Sequence, residues 1–223
     1  MQNRRILMKI ILMTALFAFC SWAQADVALV YQTVGFPEHY NDRITNRYAN
    51  YPEGNDLVLG GIPFNIPPGE NNIWWSGFAG GGDPQAIEVT VNLPYVLEAH
   101  TLINTGWGAT GGPYAYLEFF GSAGAYFKKD LYGNEDIRDW YNGGYTNFIN
   151  GTTTINVFSQ DNRRIDKQAI VLPSEFASQK LVKMRMVDNG ANEFQRTYLQ
   201  GFTVGVGPPP PGSPGSTELL LLD

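Results

Sequence analysis

Leu102 to Tyr145 reads LINTGWGATGGPYAYLEFFGSAGAYFKKDLYGNEDIRDWYNGGY. Runs rich in aromatic and aliphatic residues, Ala115–Phe120 and Ala123–Leu131, alternate with clusters of Gly, Asn, Asp and Pro. Such punctuation predicts strands of a few residues joined by turns. The pattern continues outward in both directions. Val27–Thr33, Asp56–Phe64, Ala86–Leu93 and Ala99–Asn104 read as strands on one side, and Thr152–Ser159, Ala169–Leu172, Leu181–Asp188 and Arg196–Val206 on the other. Ala86–Leu93 sets Ile87, Val89, Val91 and Leu93 against Glu88, Thr90 and Asn92, the alternation of a half-buried strand. Helical periodicity is nearly absent; Ser174, after Pro173, is expected to cap a single short helical turn. Many short strands without an internal repeat predict an all-β fold, an antiparallel β-sandwich or barrel, rather than a βαβ design.

The ends differ from this middle. Arg4, Arg5 and Lys9 precede an apolar run from Ile10 to Phe19, and Ala23-Gln24-Ala25 offers the small-x-small pattern of a signal peptidase site. Residues 1–25 therefore read as a signal peptide, with the sandwich domain at 26–206. The apolar run is shorter than the roughly 20 residues of a spanning helix. Residues 207–216 form a Pro/Gly/Ser linker, stiff in its proline half. Residues 217–223 are a C-terminal stub (TELLLLD), which reads either as the beginning of an envelope-attachment tail or as a frayed end.

Processing at Ala25 has chemical consequences. Cys20, the one cysteine, leaves with the leader, so the secreted domain holds no disulfide, thiolate nucleophile or cysteine metal ligand. Loss of Arg4, Arg5 and Lys9 takes the formal charge from −6 to −9. A surface of that sign repels phosphate backbones and argues against nucleic acid as a partner.

Three places carry candidate chemistry. Trp74-Trp75 stands near Gly80-Gly81-Gly82; adjacent strand residues face opposite sides, so one ring is expected in the core and the other outside, where it could stack on a pyranose, although the pair reads rather as cover for the sandwich edge. Trp107 lies between Gly106 and Gly108, just after Asn104, in a loop whose glycines permit close approach to a ligand. It reads equally as a plug for one end of the sandwich. The most polar run is Asn134-Glu135-Asp136-Ile137-Arg138-Asp139-Trp140-Tyr141-Asn142. Its carboxylates and amides suit a hard cation such as calcium, although the EF-hand spacing is missing. They suit a sugar as well, with Asp136 or Asp139 accepting from hydroxyls, Arg138 donating, and Trp140 or Tyr141 stacking. A third reading pairs Arg138 with Asp136 or Asp139 only to pin the loop. Asn150-Gly151-Thr152 reads as a turn feeding the Thr-rich strand, and Arg163-Arg164 between Asp161 and Asp166 as a solvated hairpin tip.

The order Leu59-Gly60-Gly61-Ile62-Pro63-Phe64, then Leu102-Ile103-Asn104-Thr105-Gly106-Trp107-Gly108, then Gly201-Phe202-Thr203-Val204 resembles galactose-binding-like jelly rolls. In particular it is similar to carbohydrate-binding modules attached to bacterial glycosidases. The resemblance covers Val27 to Val206, with LGGIPF the best match, and no ligand-contacting residue of that group transfers to an identifiable position. It implies a jelly-roll sandwich that binds a glycan or a cell surface.

The sequence reading is thus a bacterial, secreted or cell-surface, non-catalytic carbohydrate-binding module. Its candidate contacts are Asn104, Trp107, Asp136, Arg138, Asp139 and Trp140. The alternatives are a structural surface or matrix protein held by its C-terminal tail, and a glycoside hydrolase. Glu118, Glu135, Asp136 and Asp139 supply carboxylates for a hydrolytic pair, whose separation the sequence does not give.

Overall fold

The structure, a computed structural model, describes residues 28–77, 85–190 and 194–210. The expected leader, the Gly80–Gly82 loop, residues 211–216 of the linker and the C-terminal stub lie outside the described residues. The strands are β1 (Val30–Thr33), β2 (Gly54–Leu59), β3 (Ile62–Ile66), β4 (Trp74–Trp75), β5 (Gln85–Pro94) and β6 (Val96–Gly106). They continue with β7 (Pro113–Gly121), β8 (Tyr126–Tyr132), β9 (Thr154–Gln160), β10 (Arg163–Val171), β11 (Lys180–Asp188) and β12 (Arg196–Val206).

Hydrogen bonding orders β1-β12-β6-β10-β9 in one sheet, with β4 also on β12, and β5-β11-β7-β8 in a second. From β5 onward the chain passes repeatedly from one sheet to the other, and every named strand pair is antiparallel. The quartets β1-β12-β6-β10 and β5-β11-β7-β8 are the two faces of a jelly roll, to which β9, β4 and the β2–β3 hairpin are added.

The main core fills the space between the sheets. Val89, Leu117, Phe119 and Met184 pack there with Ile103, Leu199, Phe202 and Val204. A second core lies on the other face of the larger sheet, where Leu102, Ile165 and Tyr198 meet Phe64 and Ile66 of the hairpin and Tyr48 and Tyr51 of the preceding loop. Strands β6 and β12 are consequently buried on both faces and show no alternation. β5, with one face toward solvent, keeps the alternation its sequence displays.

Three local expectations are corrected. Asp56–Phe64 is the greater part of a hairpin rather than one strand: Gly60 and Gly61 turn it with φ of 56° and 79°, the two positive values a tight two-residue turn requires. Ser174 begins a 3-10 turn without capping it, since Pro173 occupies the cap position and no side chain bonds there. Arg163-Arg164 is not a solvated tip, because β10 starts at Arg163 and Arg164 and Asp166 are buried. The turn at Asn150 is as expected, its Oδ1 accepting from the backbone N–H groups of Thr152 (2.9 Å) and Thr153 (2.9 Å).

A Cβ at Gly60 would stand 2.7 Å from Val157 Cγ1, in a left-handed backbone position. Gly60→Ala is therefore expected to destabilise the fold by about 1–3 kcal/mol, measured by urea denaturation. An unchanged midpoint would show that the hairpin shifts to accommodate the added methyl group.

Candidate functional site

The site begins with a fork in the larger sheet. β10 pairs with β6 only from Val171↔Glu98 to Lys167↔Leu102. Beyond Leu102 the strands part and Arg138–Tyr141 enters between them. Thr105 N donates to Arg138 O at 2.9 Å and Trp140 N to Thr105 O at 2.8 Å, while Arg164 N donates to Trp140 O at 2.8 Å. The inserted segment thus satisfies backbone groups on both flanks that the separation would otherwise leave unpaired. Asn104 stands at the crotch of the fork and behaves like a peptide group. Its Nδ2 donates to Asp166 Oδ2 (2.9 Å) and Arg138 O (3.3 Å), and its Oδ1 accepts from Asp166 N (3.2 Å).

Buried charge holds the insert in place. Arg138 grips Asp166 with two bonds, Nε to Oδ2 and Nη2 to Oδ1, each 2.7 Å. Arg164 reaches through the loop: Nε donates to Asp139 O (2.8 Å), Nη1 to Asn142 Oδ1 (3.1 Å), and Nη2 to Thr146 O (3.1 Å) and Asn147 Oδ1 (3.0 Å). Burial pulls the Arg164 pKa below the usual arginine value, with the nearby Arg138 charge acting in the same direction and Asp166 and Asp139 opposing. Asp139, 1% exposed, accepts from Gly108 N (2.7 Å), Thr146 N (2.9 Å) and Thr105 Oγ1 (3.2 Å). That carboxylate ties the exit of β6 to the far end of the loop. Glycine is required around it, since a Cβ at Gly144 would collide with Asp139 Oδ2 and one at Gly108 with the Thr146 hydroxyl.

On this frame four aromatic residues surround a cavity of about 310 Å³: Trp107, Trp140, Tyr141 and Tyr145, with backbone from Gly106 and Gly143-Gly144. Trp107 is 45% exposed and Tyr145 74%. Trp140 is held from behind by edge-on contacts with Tyr48 (5.8 Å) and Tyr198 (6.5 Å). Burial pushes the Tyr198 hydroxyl up to about 12, so it stays protonated at neutral pH. Trp107 has φ 51°, a left-handed conformation that is rare and strained for a bulky side chain. The Arg196 guanidinium lies 5.3 Å from its ring centre and 4.3 Å from that of Trp75. Trp75 is also covered by Arg47, at 4.4 Å, while Trp74 is buried in the main core.

The expected contacts therefore divide. Trp107 and Trp140 converge on one cavity, and Tyr141 and Tyr145 join them. The polar residues turn inward. Asn104 is fully buried at the fork, Arg138 is committed to Asp166, and both Asp139 oxygens are occupied, so the assignment of these three side chains to direct ligand contact is corrected. Asp136 is corrected likewise: it is buried, accepts from Lys129 Nζ (2.7 Å) and Tyr132 N (3.1 Å), and closes the turn after β8. Arg138 pairs with a distant acid rather than with Asp136 or Asp139. Among the described residues no three His, Cys, Asp or Glu side chains converge as a metal site would need, and the acids proposed for calcium point into separate networks. Sequence reasoning passed over Tyr145 and Arg164. The Gly143-Gly144 pair before Tyr145 is the same signal that marks Trp107, whereas nothing local marks Arg164. No family model and no curated protein sequence matches this chain.

Two substitutions separate frame from surface. In Asp139→Asn an amide N–H must face the N–H of Gly108 or Thr146, which costs about 1–3 kcal/mol. Trp107→Gly gives up packing of a half-exposed ring but relieves roughly 1–3 kcal/mol of backbone strain. Its net effect is expected within about 1 kcal/mol of zero, against about 3–5 for truncating a core tryptophan. Urea denaturation of both variants checks the pair; a Trp107→Gly loss of core size would make that ring a structural plug.

Proposed function

We propose that this protein is an exported, non-catalytic module that binds carbohydrate in the cavity formed by Trp107, Trp140, Tyr141 and Tyr145. The observation that carries the reading is Trp107, a strained and exposed indole that lines one cavity together with three further aromatic rings. Aromatic faces stack on the apolar C–H faces of pyranose rings, and about 310 Å³ lies near the lower end of the roughly 300–1,000 Å³ typical of small-molecule sites. The resemblance of the LGGIPF and LINTGWG elements to bacterial carbohydrate-binding jelly rolls points the same way.

Two features argue against other occupants. An aromatic cage would also attract a ligand cation. Here Arg196 already lies against Trp107 and Arg164 beneath the loop, so positive charge is supplied by the protein. Hydrolysis of a glycosidic bond takes two carboxyl groups across the bond. Asp139 is the one carboxylate among the cavity's lining residues and is fully engaged; Glu118 sits on the other sheet, bonded to Tyr126 (2.7 Å) and Arg185 (3.1 Å).

The topology also suits display. β6 runs from Val96, opposite Val206, to Gly106 at the cavity, and Val206 pairs with Val30. The ends of the described domain thus leave about 35 Å from the site, at the opposite pole. An attachment through the C-terminal tail would hold the cavity away from its anchor.

Affinity electrophoresis of the full chain in gels containing β-glucan, xylan, mannan, galactan or alginate tests the reading. Retardation by at least one polymer is expected, with Trp107→Gly and Tyr145→Ala each weakening it tenfold or more. Retardation that both variants leave intact would move the site elsewhere, and no retardation by any polymer would count against carbohydrate as the ligand.

A further inference from the structure

The aromatic cavity offers mainly ring faces: its one carboxylate is occupied, and apart from the indole N–H and phenol groups at the ring edges it has no other polar side chain. Free polar groups lie just across Tyr141. A second concavity of about 420 Å³ opens on the other side of the same loop, lined among others by Asn142, Ser159, Asp161, Asn162 and Arg163. Tyr141 joins the two, since it walls the first cavity, forms an isolated bridge with Arg163, and has its hydroxyl 3.5 Å from Asn162 Nδ2.

The chemistry of the second concavity is mixed. Arg138, Arg164 and Asn147 also line it but are consumed by the loop, the two arginine charges being offset by the buried Asp166 and Asp139. At its rim the Asn142 amide nitrogen, the Asn162 amide oxygen, the Asp161 carboxylate and the Arg163 guanidinium have no hydrogen-bond or ion-pair partner among the described residues. The set holds donors and acceptors together, with one negative and one positive charge. Hydroxyl groups, which donate and accept at once, match it; an anionic group would meet Asp161, and a cation Arg163.

Resting on the carbohydrate reading above, we infer that the ligand is a neutral oligosaccharide of at least two residues that crosses Tyr141. One sugar stacks in the aromatic cavity, and the next bonds through its hydroxyls to the rim formed by Asn142, Asp161, Asn162 and Arg163. A single sugar obtains stacking with few hydrogen bonds and binds weakly.

A glycan array carrying neutral, uronate-containing and sulfated chains of one to six residues, probed with the full chain, tests this. The expected result is binding to neutral chains and not to the corresponding monosaccharides. The double variant Asn162→Ala/Arg163→Ala should lower affinity for the bound chain at least tenfold by calorimetry while keeping the parent's melting temperature. Trp107→Gly should remove binding to every glycan. Monosaccharides bound as tightly as chains, a double variant with parental affinity, or a preference for uronate or sulfated chains would each overturn the two-site inference and leave the aromatic site standing. Silence across the whole array would instead overturn the carbohydrate reading itself.

Discussion

Beyond Leu102, strand β6 loses β10 as its neighbour, and the feature the site depends on is the way that gap is filled. Backbone N–H and C=O groups exposed inside a sheet must find partners. Arg138–Tyr141 supplies them on both flanks, and Asn104 bridges to Asp166 where the strands divide. Removing one partner of such a buried network is costly, because the remaining charge or donor stays desolvated. Arg138, Asp139, Arg164 and Asp166 therefore act together to fix one loop conformation.

Rigidity of that kind has a use at a stacking site. Aromatic rings set in place before a ligand arrives lose little conformational freedom on binding, so more of the stacking energy appears as affinity. Trp140 is braced by Tyr48 and Tyr198, and Trp107 lies against the Arg196 guanidinium. Tyr141 and Tyr145 belong to the loop that Asp139 and Arg164 hold down. Arg138, Asp139, Arg164 and Asp166 contribute to the cavity by fixing the loop that carries two of its rings.

Strands that face solvent on one side were legible from their alternation, as in β5, and most turns from their Gly and Asn. Trp107 stood out because glycines frame it. The polar network was not legible, for a physical reason. Asn104 and Asp166 are 62 residues apart, and their meeting depends on the fork in the sheet rather than on spacing. Asp161, Arg163, Arg164 and Asp166 resemble a charged tip when read in order, yet Arg164 and Asp166 are buried by the inserted loop. The same blindness made Asn104, Asp136 and Asp139 look like ligand contacts, since a polar side chain at a strand end or in a loop gives no sign in the sequence of facing inward.

Heteronuclear NMR on the full chain, following the tryptophan indole N–H signals while a retarding glycan is titrated, tests the central claim most directly. The indole signals of Trp107 and Trp140 are expected to shift in a saturable way, while that of Trp74, in the main core, stays fixed. Saturable binding that leaves Trp107 and Trp140 unmoved would contradict it.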